Sequence, residues 1–377
     1  MAAHRCGGED VSAVLKIDQF DLLDDAACDA RIAAAKAILG KRLAILGHHY
    51  QRDEVIAFAE VTGDSFKLAR DAAARPDAPY IVFCGVHFMA ETAKLLNPGR
   101  TVLIPDPEAG CSLAESITAE DVRRLRARHP GVPVVTYVNT SAAVKAESDV
   151  CCTSANAQKV VESLGVPEVI FLPDQYLAQN VAAQTRVRII SWQGRCEVHE
   201  NFTASDIAQL RESHDGVTVL AHPECSPEVI AASDYSGSTA AMIEYVEKKR
   251  PARVMMVTEC SMAGNVAAQY PSIDFVQPCR FCPHMNRITL PKIRHALETL
   301  THEVRIDPRR QSHRGVDGRV ADPGRERRRG THVSHPLDHA ATAGEASQAP
   351  DRGQGQIPPQ RVREPRSEEH TSELQSR

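Results

Sequence analysis

Short apolar runs alternate with amphipathic segments along most of the chain, and small or polar residues follow each run. Runs of this length that are rich in Val and Ile predict buried strands, and the segments between them predict helices. The predicted strands begin at Arg42, Tyr80, Thr101, Val134, Val169, Val187, Val217, Val254 and Phe275. Strands that alternate with helices form parallel sheets with helices on both faces, so the pattern predicts an α/β fold.

The strands and helices recur in the same order three times, and each round ends with a cysteine after a strand. These cysteines, Cys111, Cys196 and Cys282, lie 85 and 86 residues apart. In each round a polar residue at the end of the first strand also precedes a serine by 16 or 17 residues, in the pairs His48 and Ser65, Tyr137 and Ser154, and His222 and Ser238. We therefore predict a unit repeated three times, with one sulfur from each unit at a common centre. One larger Rossmann-like sheet with unrelated cysteines is the alternative.

The pattern divides the chain into a lead-in, three units and a tail of different composition. We expect these segments at residues 1–30, 31–125, 126–210, 211–307 and 308–377. The tail is charged and rich in glycine, with few large apolar residues, which is typical of disordered segments. Its last residues resemble a translated sequencing adapter, so we interpret the tail as the product of a lost reading frame and leave it out of the fold prediction. A genuine basic tail is the alternative.

Composition and charge narrow the class of protein. The chain has 377 residues, a net charge of −5, 42% hydrophobic and 25% charged residues, which is ordinary for a soluble globular protein. This charge gives no large basic field, so we expect no nucleic-acid partner. The sequence has no apolar run long enough for a membrane span and begins without a signal sequence, so we expect a cytoplasmic protein with no membrane partner. Eleven cysteines in that compartment predict thiols or metal ligands rather than disulfides.

Three cysteines from three units favour an iron–sulfur cluster over a structural zinc site. Structural zinc has four protein ligands, and His199 as the fourth would rest only on a Cys-x-x-His spacing. Three thiolates suit a 4Fe–4S cluster whose open fourth iron acts as a Lewis acid, which indicates dehydration rather than electron transfer. Cys279 is a nearby competitor for the place of Cys282. We expect small buried apolar side chains at the other central cysteines, Cys84, Cys151, Cys152, Cys225 and Cys260.

Three serines stand where predicted helices begin, and they indicate a second kind of chemistry. Ser65, Ser154 and Ser238 can each cap free N–H groups, which is the usual role of serine at a helix start. Helix N-termini also attract anions, and Thr239 adds a second hydroxyl at the third helix. If three units face one centre, we expect a substrate that carries several carboxylates or a phosphate.

Groups able to transfer protons follow the predicted strands. In His222-Pro-Glu224 an imidazole and a carboxylate are held two residues apart in an extended segment and face the same way. Glu224 would act as a general base, with His222 as its orienter or as an acid. Strand alternation directs His49 and Gln51 elsewhere. The candidates at strand ends are His48, Tyr50, Tyr137, Asn139, His199, His222 and Glu224.

Several short motifs between Ile45 and Leu290 carry a resemblance to a known family. They are Gly47-His-His-Tyr-Gln, Gly63-Asp-Ser, Pro105-Asp-Pro-Glu-Ala-Gly-Cys111, Tyr137-Val-Asn139, Cys152-Thr-Ser-Ala-Asn156, Trp192-Gln-Gly-Arg-Cys-Glu-Val-His199, His222-Pro-Glu224, Gly237-Ser-Thr239 and Cys282-Pro-His-Met285. On these motifs the chain resembles the bacterial type A quinolinate synthases. The resemblance implies three similar three-layer α/β/α domains with small parallel sheets around a pseudo-threefold axis. It also implies a central 4Fe–4S cluster bound by Cys111, Cys196 and Cys282.

The resemblance further implies an activity and its substrates. Members of the family condense iminoaspartate with dihydroxyacetone phosphate to quinolinate, releasing phosphate and two waters, in NAD biosynthesis. L-aspartate oxidase supplies the unstable imine. We expect proton transfer by Glu224, assisted by Tyr50 and His199, with His222 also catalytic. The family's substrate-binding positions coincide with His48, Ser65, Tyr137, Asn139, Ser154, Ser238 and Thr239.

Two other interpretations stay open. One is another three-cysteine iron–sulfur hydro-lyase, which would act on a hydroxy acid without a triose phosphate. The other is a non-enzymatic metal-binding or scaffold protein, which would hold zinc or no metal and show no turnover. Members of the resembled family continue beyond a predicted strand at 303–307, where this chain departs from them. We expect that departure to affect the packing of the final helix rather than the chemistry.

Overall fold

The computed structural model of the protein describes residues 24–307, in which three small sheets carry the fold. Each sheet has four parallel strands in the same spatial order. Numbered along the chain within a unit, this order is second, first, third and fourth, so the second and fourth strands form the edges. The predicted α/β fold of three similar units is thereby confirmed. The strands are β1 (Leu43–His48), β2 (Val61–Gly63), β3 (Tyr80–Cys84), β4 (Thr101–Leu103), β5 (Val134–Tyr137), β6 (Val150–Cys152), β7 (Glu168–Leu172), β8 (Arg188–Ser191), β9 (Thr218–Ala221), β10 (Tyr235–Ser236), β11 (Arg253–Val257) and β12 (Asp274–Val276).

Helices connect the strands and cover the sheets. They are α1 (Asp25–Leu39), α2 (Asp53–Ile56), α3 (Ser65–Ala73), α4 (His87–Leu96), α5 (Ser112–Glu115), α6 (Ala119–Arg128), α7 (Ala142–Ala146), α8 (Ala157–Ser163), α9 (Gln175–Ala182), α10 (Ala204–Ser213), α11 (Pro227–Ala232), α12 (Thr239–Lys249), α13 (Cys260–Gln269) and α14 (Leu290–Thr299). Three short 3-10 turns span Gly40–Arg42, His199–Asn201 and Met285–Arg287. In the part of the chain described, none of the helices is long and apolar enough to cross a membrane.

Alternation along the strands shows that helices cover both faces of a sheet. In β11, Val254 and Met256 pack into one buried cluster, whereas Met255 and Val257 pack into another. Successive side chains of a strand point to opposite faces, so each cluster lies on its own side of the sheet. Parallel sheets need this double cover, because their crossover helices lie on both faces. The continuous apolar runs in the sequence follow from it.

The chain passes from sheet to sheet around a closed ring. Helices α6, α10 and α14 each begin eight residues after the cysteine that ends a unit. Val122 of α6 packs with the core of the second sheet, and Ile207 of α10 packs with that of the third. Ile293 of α14 packs with the core of the first sheet, so the last described helix returns to the start. The helix that follows each cysteine in the chain therefore packs against the core of the next unit around the ring.

Because these helices cross to the next sheet, they affect where one unit ends and the next begins. The limits at 125/126 and 210/211 fall inside α6 and α10, and the division into three domains stays a prediction. The predicted strand at 303–307 is wrong, because Glu303 forms only an isolated antiparallel bridge with Leu103. That bridge places the end of the described chain beside the outer strand of the first sheet. The predicted tail, and most of the predicted lead-in, lie outside the described residues.

Candidate active site

A cavity lies where the strands end, and residues from all three units line it. Parallel strands present their carboxyl ends at one edge of a sheet, so the loops of three sheets meet there. Every predicted site residue except one lines this cavity: His48, Tyr50, Ser65, Cys111, Tyr137, Asn139, Ser154, Cys196, His222, Glu224, Ser238, Thr239 and Cys282. The exception is His199, which is fully buried outside the lining and contacts Glu224.

The three cysteines form a ring in which each member bridges two units. Cys111 packs against the apolar cores of the first and second units, and Cys196 against those of the second and third. Cys282 closes the ring, since it packs against the third core and the first. All three are free thiols. Each stands just before the segment that crosses to the next sheet, so the closed path of the chain brings the sulfurs to one cavity.

Burial and local backbone groups act on these thiols in opposite directions. Burial raises the pKa of Cys111 to about 12 and the pKa of Cys282 to about 11, and it raises the pKa of Cys196 as well. Backbone N–H groups two and three residues after each cysteine lower its pKa, and this arrangement recurs in all three units. Without a cation the thiols are therefore protonated at neutral pH, whereas a bound metal would favour thiolates.

Glu224 is the hub of a buried hydrogen-bond network. Its Oε1 atom accepts from Tyr137 Oη at 2.5 Å and from Asn139 Nδ2 at 3.3 Å, while His199 Nδ1 lies 2.9 Å from its Oε2 atom. Burial alone would raise the pKa of Glu224, but the His222 and His199 rings and the hydrogen bonds it accepts outweigh burial and lower that pKa well below its usual range. Glu224 is therefore a carboxylate at neutral pH, held by groups from two units.

His48 and His222 occupy equivalent places in the first and third units and make the same local turn. The Nδ1 atom of each accepts from the backbone N–H two residues further on, Tyr50 N at 3.1 Å and Glu224 N at 3.3 Å. Burial lowers the pKa of His48 to about 3 and that of His222 to about 4, so both rings are neutral at neutral pH. Because Nδ1 is an acceptor, each neutral ring carries its proton on Nε2. Ser154 Oγ lies 3.5 Å from Nε2 of His222.

The three predicted serines differ in what they do at the helix starts. Ser238 is the N-cap of α12, and its side chain accepts from Ala241 N at 3.3 Å. Ser65 is instead the first residue of α3, whose N-cap is Asp64, and Ser154 lies two residues before the N-cap of α8. Capping therefore explains Ser238 alone, although all three serines line the cavity.

The structure adds Thr258, which the sequence did not single out. Its Oγ1 atom lies 2.8 Å from Tyr50 Oη and 3.0 Å from His199 Nε2, so it joins two predicted site residues. Thr258 directly follows the apolar run of β11, and this position at a strand end was the available signal. It is the same signal that indicated His48 and Tyr137.

Two further residues of the third unit hold the loops that carry Tyr50 and Cys282. Asn265 donates from Nδ2 to the backbone oxygens of both residues that flank Tyr50, at 3.2 and 2.8 Å. Glu259 accepts through Oε1 from Cys282 N at 3.3 Å, while its Oε2 atom caps α13. Burial raises the pKa of Glu259 to about 7. These contacts join segments distant in sequence, so no local pattern predicts them.

The remaining predictions on polar residues and cysteines have mixed outcomes. His49 and Gln51 lie outside the cavity lining, as strand alternation indicated. The expectation of small buried thiols is confirmed for Cys84, Cys151, Cys152 and Cys225. It is wrong for Cys260, which forms a disulfide with Cys279. The loop after β12 folds back on the start of α13, where Cys260 N donates to the backbone oxygen of Arg280, and this brings the two sulfurs together.

A second arrangement of metal-binding atoms exists within this site. Ligand atoms of Cys196, His199 and Glu224 lie within 4.8 Å of one another, which is close enough to surround a single ion. In the described structure, however, the His199 and Glu224 atoms already contact Thr258, Tyr137 and each other. An ion at this place would have to break those contacts, whereas the ring of three cysteines would lose none.

Known proteins that resemble the chain agree on one family. The family model described as NadA, quinolinate synthetase A protein, matches residues 30–316. The chain is 67% identical over 265 residues to quinolinate synthase 1 of Mesorhizobium japonicum, which covers 70% of this chain and 82% of that one. It is 62% identical over 282 residues to the quinolinate synthase of Xylella fastidiosa, which covers 74% and 80% of the two chains. The chain therefore belongs to the quinolinate synthetase A family of enzymes.

Proposed function

We propose that this chain is a quinolinate synthase that condenses iminoaspartate with dihydroxyacetone phosphate in NAD biosynthesis, releasing phosphate and two waters. The observation that carries the proposal is the single cavity in which three free cysteines from three units share a lining with Glu224 and its partners. Membership of the family supports the reaction. In this proposal the enzyme acts in the cytoplasm, where L-aspartate oxidase supplies the unstable imine.

Cys111, Cys196 and Cys282 are the residues proposed to hold a 4Fe–4S cluster. Three observations support the fit. The thiols are free, they line one cavity, and each has backbone N–H groups placed to stabilise a thiolate. Cys279 does not compete for this place, because it is bonded to Cys260. When bound through three cysteines, such a cluster supplies an open iron that acts as a Lewis acid towards a substrate oxygen.

Groups that donate hydrogen bonds would bind the anionic parts of the two substrates. Iminoaspartate carries two carboxylates and the triose carries a phosphate. The neutral rings of His48 and His222 each offer an Nε2–H donor, as argued from their Nδ1 contacts. Hydroxyl groups add further donors on the cavity lining, from Ser65, Ser154, Ser238 and Thr239.

The network around Glu224 would move protons during imine formation and dehydration. A carboxylate with so low a pKa is a weak base, so Glu224 would orient its partners and pass protons on rather than retain one. Burial raises the pKa of both Tyr50 and Tyr137 well above the usual value, so both phenols keep their protons at neutral pH. Tyr50, Tyr137 and Asn139 line the cavity, whereas His199 lies beyond it and acts through its neighbours.

The test is an anaerobic assay of the reconstituted protein for quinolinate, with iminoaspartate and dihydroxyacetone phosphate supplied together and each omitted in turn. The proposal expects quinolinate only when both substrates are present. Turnover of a hydroxy acid without the triose phosphate would instead favour another iron–sulfur hydro-lyase. Bound zinc without turnover would favour the site formed by Cys196, His199 and Glu224 and would contradict the proposal.

A further inference from the structure

Asn180 holds the loop that carries Glu224, although it belongs to another unit. It is the sixth residue of α9 in the second unit, and 7% of the residue is exposed. Its Nδ2 atom donates to Pro223 O and to Cys225 O, both at 2.9 Å. Carbonyl oxygens can only accept, so the amide nitrogen of the side chain must face them. One side chain of the second unit therefore holds the backbone on both sides of Glu224 in the third.

The same contact recurs one unit further around the ring. Asn265 is the sixth residue of α13 and donates from Nδ2 to His49 O at 3.2 Å and to Gln51 O at 2.8 Å. Tyr50 and Glu224 occupy equivalent places, because each donates its backbone N–H to the Nδ1 atom of a histidine two residues earlier. Two equivalent residues are thus held by the same contact, which joins segments distant in sequence in both cases.

The corresponding contact between the first and second units is different. Thr92 is the sixth residue of α4 and donates within that helix to Phe88 O at 2.8 Å. The loop after β5 is held from inside its own unit, where Lys145 Nζ donates to Thr140 O. Of the three equivalent loops, the asparagine contact therefore holds those after β1 and β9.

Helix α9 is also fixed to the segment that leads to Cys196. The backbone N–H of Gln175, its first residue, donates to Gly194 O at 2.8 Å, two residues before the cysteine. Five helical residues, about 8 Å of helix, separate Gln175 from Asn180. One short helix therefore relates the loop of a ring cysteine to the loop of Glu224.

We propose that Asn180 is a positioning residue that keeps the Glu224 carboxylate in place through the backbone of its loop. The Oε1 atom of Glu224 accepts from Tyr137 Oη and Asn139 Nδ2, and both of these donors belong to the second unit. Asn180 ties the backbone of Glu224 to that same unit, so the carboxylate and its donors keep their separation. When Asn180 is removed, the loop can shift, and a displacement of about 1 Å can cost about a hundredfold in rate.

The kinetic test uses the reconstituted holoenzyme, and this part rests on the proposed quinolinate synthase activity. We expect Asn180→Ala to lower kcat by about ten- to a hundredfold, with iron and acid-labile sulfide content unchanged. Asn180→Leu keeps the branched shape of the side chain and removes the donor, so it should show the same loss and serves where Asn180→Ala does not fold. A near-normal kcat in a folded variant would overturn the proposal.

Asn97→Ala is the matched control. The Asn97 side chain is as buried as that of Asn180 and also donates from Nδ2 to two backbone oxygens, those of Ala69 and Ala93. These contacts join α3 to α4 within the first unit. We expect a similar decrease of Tm in the two alanine variants, with kcat of Asn97→Ala within about twofold of the unaltered protein. Equal losses of kcat in the two variants would show a general effect on stability and would contradict the proposal.

A double-mutant cycle identifies the residue through which Asn180 acts. In the background of Glu224→Gln, Asn180→Ala should add little to the loss of kcat, because the carboxylate that it positions is already absent. Losses that multiply fully would show that Asn180 acts on another part of the site.

Amide hydrogen exchange provides a readout that does not depend on turnover. The backbone N–H groups of Glu224 and Cys225 donate to the Nδ1 and O atoms of His222, so their exchange reports on the order of this loop. We expect peptides that cover this loop to exchange about tenfold faster in Asn180→Ala, and peptides that cover the loop of Tyr50 to be unchanged.

Asn265→Ala should give the reverse pattern, with faster exchange around Tyr50 and unchanged exchange around Glu224. Unchanged exchange around Glu224 in Asn180→Ala would overturn the proposal. If the chain makes no quinolinate but shows these two exchange patterns, the proposed function fails while the positioning of the loop by Asn180 stands.

Discussion

Two regions of the cavity, the network around Glu224 and the cysteine ring, differ in how far other protein groups pair with their polar atoms. Around Glu224, polar atoms of the protein contact one another, since its Oε1 atom accepts from Tyr137 and Asn139 and its Oε2 atom lies 2.9 Å from His199 Nδ1. In the cysteine ring, by contrast, burial keeps the pKa of Cys111 at about 12 and that of Cys282 at about 11. Three protonated thiols from three units have no evident use as such. On the proposal made above, the first region is preorganised by the fold and the cysteine ring is completed by a metal.

The largest effect should come from removing a member of the cysteine ring. Cys196→Ser leaves two thiols of the three proposed ligands, so we expect bound iron to fall sharply and quinolinate formation to fall below detection. Cys28→Ala is the control, since Cys28 is buried in α1 and belongs to the core of the first unit. Iron and acid-labile sulfide are measured in both variants. Full iron content in Cys196→Ser would remove this residue from the ligand set.

Glu224→Gln should have the next largest effect, and it should act on the other region only. The amide keeps the shape but cannot serve as the acceptor for all its present donors, so we expect turnover to fall about 10²–10⁴-fold with iron content unchanged. Steady-state kinetics and the cluster's absorption spectrum measure the two quantities. Glu228→Gln, an exposed residue of α11, is the matched control and should change neither. A loss of iron in Glu224→Gln would mean that the two regions are not separate.

A smaller effect is expected at Gly110, beside the first cysteine of the ring. A Cβ atom there would lie 1.9 Å from Glu115 Oε1, the atom that accepts from Cys111 N. Gly110→Ala should therefore displace Glu115 and weaken iron binding about tenfold, as for other contacts that orient a metal ligand. Competition with an iron chelator measures this change in iron affinity. In Gly264→Ala the new Cβ meets no atom within 4 Å, so that helix variant should bind iron normally and gain about 0.5–1 kcal/mol of stability. Equal iron retention by the two variants would contradict the account.

The smallest expected effect is on the pH dependence of stability. Burial lowers the pKa of His48 to about 3 in the folded protein, whereas the unfolded chain titrates near the usual 6.5. As pH falls below about 6.5, the unfolded chain therefore binds a proton at His48 while the folded protein does not, so the free energy of unfolding decreases. Denaturant titrations measure the free energy of unfolding at each pH. His48→Gln should reduce the decrease of this free energy between pH 6.5 and 5 by up to about 2 kcal/mol. His302→Gln, at an exposed position, is the control. An unchanged slope in His48→Gln would show that this histidine is not held neutral.

The sequence predicted those parts of the site that repeat. Cys111, His48 and Tyr137 each follow an apolar run, and the threefold recurrence distinguished them from polar residues at single strand ends. Thr258 has the same kind of position but no counterpart in the other units, so recurrence could not reveal it. Its role depends on two contacts, to Tyr50 and His199, that are far apart in sequence.

The sequence likewise predicted those features of the fold that recur in all three units. Periodicity identified the strands and their parallel arrangement, because the two inner strands of each sheet are buried on both faces. It could not show that α6, α10 and α14 pack against the next sheet, since an amphipathic helix has the same pattern whichever sheet it covers. The Cys260–Cys279 disulfide likewise depends on a loop that folds back, which no spacing of cysteines specifies.

The proposed function depends above all on an iron–sulfur cluster held by the ring of Cys111, Cys196 and Cys282. The most direct measurement is the iron, acid-labile sulfide and zinc content of the chain after anaerobic reconstitution. We expect about four irons and about four sulfides per chain, with zinc absent. A single metal ion without sulfide would place the metal among Cys196, His199 and Glu224 instead, and would contradict the claim.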